Sequence, residues 1–152
     1  MENIISRVPP NDLQAEQAVL GSMLVDKDAV YTAIEILKPD DFYRNEHIEI
    51  YSAILDLYEK NKVIDLLTLK EQLRLRGQYD VINGFEYLAS LTNPMYSFSN
   101  AEYYAKIVEE KSILRKLIKA ASDISKLSYE AANEVTDIME QAERRIFSIS
   151  QK

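Results

Sequence analysis

The chain has 152 residues, which fits one compact domain, or a compact head with an elongated appendage, but not two complete domains. It contains no cysteine, and this excludes disulfide bonds, a thiolate nucleophile and a sulfur-ligated metal site. Residues 1–100 carry a net charge of −7 and residues 101–152 a net charge of 0, so tight binding to nucleic acid by this chain alone is not expected, because such binding depends on lysine and arginine displacing counterions.

Capping and apolar spacing predict a first helix directly after two prolines. Asn11 and Gln14 have the spacing of an N-cap residue and its reciprocal partner, and the helix is expected to end near Leu24. Apolar residues extend round more than one of its faces, which is typical of a buried helix. Gly21 lies inside this helix, where glycine costs about 1 kcal/mol relative to alanine, and the close approach of a neighbouring helix would explain it.

Two further helices are expected in the same part of the chain. One should begin after Asp26 or Asp28 and stop at Pro39, because proline cannot continue a helix. Asn45 is expected to cap the next, which should carry apolar residues at spacings of three and four and end near Asn61. This spacing keeps the apolar side chains on one face, so that face can pack in a core.

The rest of the first 95 residues predicts two short helices. Thr68 and Glu71 have capping-box spacing for a helix that Gly77 closes. The stretch FEYLASL predicts another short helix, with Phe85 and Leu88 turned inward. Together with the preceding helices, these elements are expected to form a compact head.

The last 58 residues contain neither glycine nor proline, and they predict two long helices. Ser99 and Glu102 have capping-box spacing for a helix from about residue 100 to residue 128. The segment 129–133 is the only plausible break before a second helix that runs to about Ile149. This pattern predicts an antiparallel helical hairpin.

The expected fold is therefore all-α, with a compact multi-helix head in residues 1–95 and a long antiparallel helical hairpin in residues 96–152. Apolar residues in both arms of the hairpin repeat by heptads, which is typical of coiled-coil packing. The first arm carries more apolar residues than one partner helix can cover, so we expect the hairpin to pair with a second copy as a four-helix bundle. The residues assigned to this dimer interface are Ile107, Leu114, Leu117, Ala121, Ile124, Val135, Met139, Ala142, Ile146 and Ile149.

The distribution of charge also favours antiparallel arms. Basic residues line the first arm and acidic residues the second, and an antiparallel turn brings the two runs alongside. Exposed ion pairs contribute only about 0.2 to 1 kcal/mol each, so this pattern is expected to set register more than stability. The basic residues are Lys111, Arg115, Lys116, Lys119 and Lys126, and the acidic residues are Glu130, Glu134, Asp137, Glu140 and Glu143.

The sequence offers no group of residues suited to catalysis or to cofactor binding. A GxxxxGK[ST] phosphate loop is missing, and the three glycines are too widely spaced to form another glycine-rich nucleotide loop. His47 is the only histidine and lacks HExxH or ExxH spacing, so we interpret it as an ordinary, partly exposed residue rather than a metal ligand. The chain is therefore expected to have no enzymatic activity, no catalytic residue and no metal or cofactor site.

No part of the sequence predicts an association with a membrane. There is no signal peptide and no uninterrupted apolar span of about 18 or more residues. We therefore expect a cytoplasmic protein without a membrane partner.

The stretch PPNDLQAEQAVLGSMLVD resembles the start of the N-terminal domain of bacterial replicative DNA helicases, the DnaB family. The resemblance covers nearly the whole chain, through KPDDFYRNEHIEIYSAI, DLLTLKEQL, NGFEYLASL, NAEYYAKIVEEKSILRKLI and the closing EQAERRIFSIS. Two departures are small, since Ile64 stands where the family usually has proline and Asn83-Gly84 where a pair of glycines is usual. A full helicase would continue into an ATPase domain, so we expect this chain to be the N-terminal domain by itself.

The resemblance implies a function in assembly rather than in catalysis. In the family, hairpins pair into dimers, three dimers form a collar on one side of a hexameric ring, and the collar receives the C-terminal domain of primase. The implied partners are further copies of the chain, as a dimer or as a hexamer built from three dimers, and primase. DNA, ATP and Mg²⁺ are expected only for the full-length ATP-dependent helicase. Apolar residues outside the dimer interface are the candidates for the primase contact, namely Tyr87, Ile113 and Ile118.

Three other functions fit parts of the pattern. The helicase-binding domain of primase has a similar helical head and hairpin, but the stretch QAEQAVLGSMLVD favours the helicase. A helical metal enzyme with bridging carboxylates would need glutamate and histidine pairs that converge inside the bundle, whereas the heptad positions here are aliphatic. A helical module that binds nucleic acid is disfavoured by the acidic charge.

Overall fold

A computed structural model of the chain describes residues 7–80, 84–93 and 100–151. Within these ranges the structure is helical and contains no strand, which confirms the expected all-α fold. The helices are α1 (Leu13–Val25), α2 (Lys27–Ile36), α3 (Asn45–Glu59), α4 (Leu66–Leu75), α5 (Gly84–Ser90), α6 (Ala101–Glu130) and α7 (Val135–Ser150). A short 3-10 turn, Pro39–Asp41, connects α2 to α3.

The chain divides into two compact units. One unit, Asn11–Glu110, is called the N-terminal unit here, and it contains α1 to α5 and the first turns of α6. The other is called the hairpin unit, and it contains the rest of α6, all of α7 and the segment that ends at Pro10. The N-terminal unit therefore includes ten residues of the long helix, whereas the boundary expected from the sequence was residue 95.

The core of the N-terminal unit is built from apolar side chains of all its helices. α1 is buried on most of its circumference, since nine of its thirteen residues are buried, and this fits the expectation that it is more than a surface helix. Gly21 is one of the nine, and α1 packs against α2 and α3. The largest completely buried side chains are Tyr51, Phe42, Leu20, Met23, Ile50, Ile54, Leu57, Leu69, Leu73, Leu88 and Leu91.

Three helix starts differ from the expectation in the residue that caps them. Arg44, not Asn45, is the N-cap of α3, and Asn45 is its first helical residue. Asp12, not Asn11, caps α1, and its carboxylate accepts a hydrogen bond from the N–H of Ala15 at 3.0 Å. Asp65 caps α4, because its carboxylate accepts from the N–H of Thr68 while the Thr68 hydroxyl accepts from the N–H of Asp65, both at 2.9 Å. Thr68 therefore belongs to a capping box, but as the third helical residue rather than as the cap.

The end of α4 confirms the predicted role of Gly77. This glycine has a φ of +72°, in the left-handed region that most residues avoid. Its N–H donates to the carbonyl of Arg74, and the N–H of Gln78 donates to the carbonyl of Leu73 at 2.8 Å. These two bonds form a Schellman motif, which satisfies carbonyls that the helix end would leave unpaired.

The short helix α5 confirms one predicted orientation and corrects another. Leu88 is completely buried, as expected. Phe85 instead exposes 39% of its surface, and the ammonium of Lys70 lies 5.8 Å from the centre of its ring. The expected inward position of Phe85 was wrong, because a helix of seven residues is too short for apolar spacing to fix which face is buried. The predicted cap at Ser99 lies outside the described residues.

The hairpin unit has the two predicted arms. The break between α6 and α7 falls at residues 131–134, and Ala131 there has a φ of 44°. Asp123 of α6 and Arg145 of α7 form an ion pair at 3.1 Å, which places the arms side by side in antiparallel order. This ion pair has an acid on the first arm and a base on the second, which is the reverse of the polarity predicted from the charge runs.

Candidate interaction surfaces

The return arm α7 leaves most of its apolar side chains in contact with solvent. Not one of its sixteen residues is buried, although apolar residues recur along one side of the helix. Its large exposed side chains show between 46% and 76% of their surface, and they are Val135, Met139, Ile146 and Phe147. An uncovered apolar stripe of this kind usually marks an interaction site.

The part of α6 in the hairpin unit carries a second exposed apolar surface. Leu114 and Leu117, both assigned to the dimer interface, are exposed, and Ala121 is also exposed. Three other assigned residues, Ile124, Ala142 and Ile149, are half-buried.

Ile107 differs from the other nine residues assigned to the dimer interface. It lies in the N-terminal unit and packs, partly buried, against the apolar core that includes Ala105 and Val108. Part of its surface is therefore used within the unit. Phe147 was not among the assigned residues, although it exposes 63% of its surface next to Ile146. Its size and aromatic type were the signals that could have identified it, since it points about 100° away from Ile146 round the helix.

Two of the three candidates for a partner contact lie exposed on α6. Ile113 exposes 37% and Ile118 50% of the residue surface. Ile118 lines a cleft of about 320 Å³, whose other lining residues are Pro9, Arg115, Lys119, Ser122 and Asp123. The Arg115 guanidinium also donates to the carbonyl of Pro10 at 2.8 Å, which holds the N-terminal segment against this helix.

The third candidate, Tyr87 on α5, is half-buried and belongs to a chain of polar groups inside the N-terminal unit. Its hydroxyl lies 2.5 Å from Nε2 of His47, and Nδ1 of His47 lies 2.8 Å from a carboxylate oxygen of Glu16. The two rings stack with centroids 6.0 Å apart. We call Glu16, His47 and Tyr87 the polar chain.

The burial of His47 within the polar chain shows that its interpretation from the sequence was wrong. This histidine was expected to be partly exposed, but it is completely buried, and Glu16 is 99% buried beside it. The cause is a partner 31 positions away in the sequence, which no local pattern could show. Glu16 itself was missed, although a single acid within the apolar stretch AEQAVLG was a visible signal.

Arg44 lies at the outer end of the polar chain. Its guanidinium carbon is 4.9 Å from the centre of the Tyr87 ring, and its Nε donates to the carboxylate of Glu46 at 2.8 Å. The Glu46 hydrogen bond raises the pKa of Arg44. Hydrogen bonds from its own backbone N–H and from Arg44 lower the pKa of Glu46. Both groups are therefore charged at neutral pH.

Two other features are absent from the part of the chain that the structure describes. There, no three histidine, aspartate or glutamate side chains lie close enough together to hold a metal ion. None of the helices in the same residues is long and apolar enough to cross a membrane.

The family model and the curated relatives described next all belong to replicative DNA helicases. The family model described as "DnaB-like helicase N terminal domain" matches residues 8–110. That range nearly coincides with the N-terminal unit. Among curated proteins, the chain is 42% identical to "Replicative DNA helicase DnaC" of Bacillus subtilis, over 96% of this chain and 32% of that protein. It is 40% identical to "Replicative DNA helicase DnaB" of Geobacillus stearothermophilus over the same shares. The chain thus spans about a third of the length of the curated relatives that it matches.

Two solved structures extend this similarity to the fold. The N-terminal domain of DnaB helicase from Mycobacterium tuberculosis matches with a TM-score of 0.88 and 40% identity, over 93% of this chain and 99% of that one. A structure of a DnaB-like replicative helicase and its interactions with primase matches with a TM-score of 0.72 and 26% identity, over 91% of this chain and 31% of that one.

Proposed function

This chain belongs to the family of the DnaB-like helicase N-terminal domain, and we propose that it is a non-catalytic assembly and docking domain of a hexameric replicative helicase. Its hairpins pair into dimers, three dimers build the N-terminal collar, and the collar binds the C-terminal domain of primase. Unwinding and ATP hydrolysis belong to the rest of the parent helicase. Contact with DNA is made through the full-length protein.

One observation carries the proposal of dimer formation: α7 has sixteen residues and buries none of them. The exposed apolar residues of α7 and of the hairpin part of α6 form more apolar surface than two antiparallel helices can cover for each other. Pairing with a second hairpin as a four-helix bundle would remove this surface from water. This is the arrangement that the heptad spacing predicts.

The proposal of primase docking is supported by a relative and by exposed residues. In the DnaB-like replicative helicase whose interactions with primase were solved, the matched region, 31% of that chain, has the same fold as this chain. Ile118 is half-exposed at the cleft on α6, and Tyr87 and Arg44 form an aromatic and cationic pair on the N-terminal unit. Tyrosine and arginine are the residue types that most often dominate protein interfaces.

Replacing Met139 by aspartate tests the dimer. The variant puts a charge in the middle of the exposed stripe of α7, so we expect it to be monomeric at about 50 µM, where the wild-type chain is dimeric. Light scattering across a concentration series measures the mass, and circular dichroism checks that the helices are retained.

Ser148→Asp is the matched control for this experiment. Ser148 is exposed on the same helix and nine positions from Met139, which is about half a turn round the helix. The Ser148→Asp variant introduces the same charge on the side of α7 opposite to Met139, so the mass of this variant should equal that of the wild type. A wild-type chain that is monomeric, or a Met139→Asp variant that remains dimeric, would contradict pairing through α7.

A further inference from the structure

We propose that Glu16 and His47 are positioning residues, which hold Tyr87 in the orientation in which the N-terminal unit binds the primase C-terminal domain. This inference rests on the proposed function. It concerns two buried residues that cannot touch a partner themselves, and it assigns them an effect on partner affinity through the hydroxyl of Tyr87.

The members of the polar chain have further hydrogen-bond partners. Nε2 of Gln17 and Nη1 of Arg44 each donate to the Tyr87 oxygen, at a long distance of 3.4 Å. We therefore assign the Tyr87 hydroxyl hydrogen to the bond with Nε2 of His47, and the ring hydrogen on Nδ1 of His47 to the bond with the Glu16 carboxylate. The carboxylate oxygens of Glu16 also accept from the backbone N–H of Tyr43 at 2.8 Å and of Arg44 at 3.4 Å.

These bonds prevent the His47 ring from turning. Both of its nitrogens are engaged, its surroundings exclude water, and a flipped ring would leave the buried Glu16 carboxylate without its donor. A buried polar group without a hydrogen-bond partner is costly. The Tyr87 hydroxyl therefore meets an acceptor in one fixed place.

Tyr87 depends on this acceptor more than a residue in a long helix would. α5 has only seven residues, and a helix of that length is not stable by itself. It is held in the N-terminal unit by Leu88, which is completely buried, and by the hydroxyl of Tyr87, which lies one residue earlier. The hydroxyl is directed inward, so the ring and the neighbouring Arg44 guanidinium form the surface that a partner meets.

A double-mutant cycle between His47 and Tyr87 tests the inference. Tyr87→Phe removes only the hydroxyl oxygen, and His47→Gln removes the acceptor ring. We expect each single variant to bind the primase C-terminal domain about 10-fold more weakly than the wild type. The double variant should bind no more weakly than the weaker single variant, because His47 has nothing to hold once the hydroxyl is absent. Calorimetric titration of the chain with the primase domain measures the four affinities.

Tyr31→Phe is the matched control, since it removes the hydroxyl of another surface tyrosine of the N-terminal unit, and its affinity should be unchanged. Independent losses that multiply to about 100-fold in the double variant would overturn the inference. If His47→Gln fails to fold, Tyr87→Phe decides alone: a loss of affinity supports positioning, and an undiminished affinity overturns it. Absence of binding by the wild-type chain at about 100 µM would contradict the proposed function itself, whereas wild-type binding with multiplied losses contradicts only the positioning.

Discussion

Glu16 places a carboxyl group where water has almost no access, since it exposes only 1% of its surface. Such a carboxylate is tolerated only when hydrogen bonds replace its hydration. Three donors do so here: the backbone N–H groups of Tyr43 and Arg44 and the imidazole of His47. The residue thereby ties α1 to the start of α3, and its loss should weaken the N-terminal unit.

Replacing Glu16 by glutamine should lower the free energy of unfolding by about 1 to 3 kcal/mol. An amide has one acceptor oxygen and one NH₂ group, so at least one of the surrounding donors would face another donor. Urea unfolding at a fixed protein concentration measures the change. Glu35→Gln, the same substitution at an exposed position on α2, should change the free energy by less than about 0.5 kcal/mol. Equal stabilities of the two variants would show that the hydrogen bonds to Glu16 are not needed.

At the scale of the helices, the ends are fixed by single residues. The Schellman motif at Gly77 requires a left-handed φ, and a Cβ added there would meet no atom within 4 Å. The glycine is therefore required by its backbone conformation and not by lack of space. The two usual reasons for a glycine at a helix end are a left-handed φ and a lack of space for a Cβ, and only the first applies to Gly77.

Gly77→Ala should consequently lower the free energy of unfolding by about 1 to 2 kcal/mol, the cost of a left-handed conformation in a residue with a Cβ. Thermal or urea unfolding measures this loss. Glu71→Ala, an exposed change in the same helix, should have an effect within about 0.5 kcal/mol. A neutral Gly77→Ala variant would indicate that α4 ends in another way in solution.

The helices could be predicted well from the sequence, because apolar spacing and capping residues are local signals. The sequence could not show whether Asn11 or Asp12 caps α1, because both are good N-cap residues. Only the structure shows that the Asp12 side chain accepts from the N–H of Ala15. Phe85 points outward, where its ring lies 5.8 Å from the ammonium of Lys70 on another helix. Local patterns do not contain such contacts.

The candidate surfaces could be predicted from the sequence less completely than the helices. The heptad spacing identified exposed residues on both arms, and Phe147 is the addition that the structure makes. The contacts within the polar chain could not be predicted from the sequence, because Glu16, His47 and Tyr87 are separated by 31 and 40 positions and meet only when α1, α3 and α5 pack together. The assignment of residues to the dimer and to the primase contact stays a prediction.

At the scale of the whole molecule, self-association and partner binding should be separable. Ile118→Asp should weaken binding of the primase C-terminal domain by at least about 10-fold and leave the dimer intact, because Ile118 lies outside the residues assigned to the hairpin interface. Titration calorimetry measures the affinity and light scattering the mass. Loss of the dimer would show that Ile118 belongs to the dimer interface. An unchanged affinity with an intact dimer would show that Ile118 does not contact primase.

The alanine at the turn between the arms has a consequence for how copies of the chain can combine. Ala131 adopts a left-handed φ of 44°, which costs a residue with a Cβ about 1 to 2 kcal/mol. The folded-back arrangement of α6 and α7 bears this strain, and a straightened turn would relieve it by joining them into one continuous rod. Two chains in that extended form could exchange their C-terminal arms and rebuild the same four-helix packing. A glycine at position 131 would adopt the same φ without strain, so the folded-back form would no longer be disfavoured relative to the swapped form.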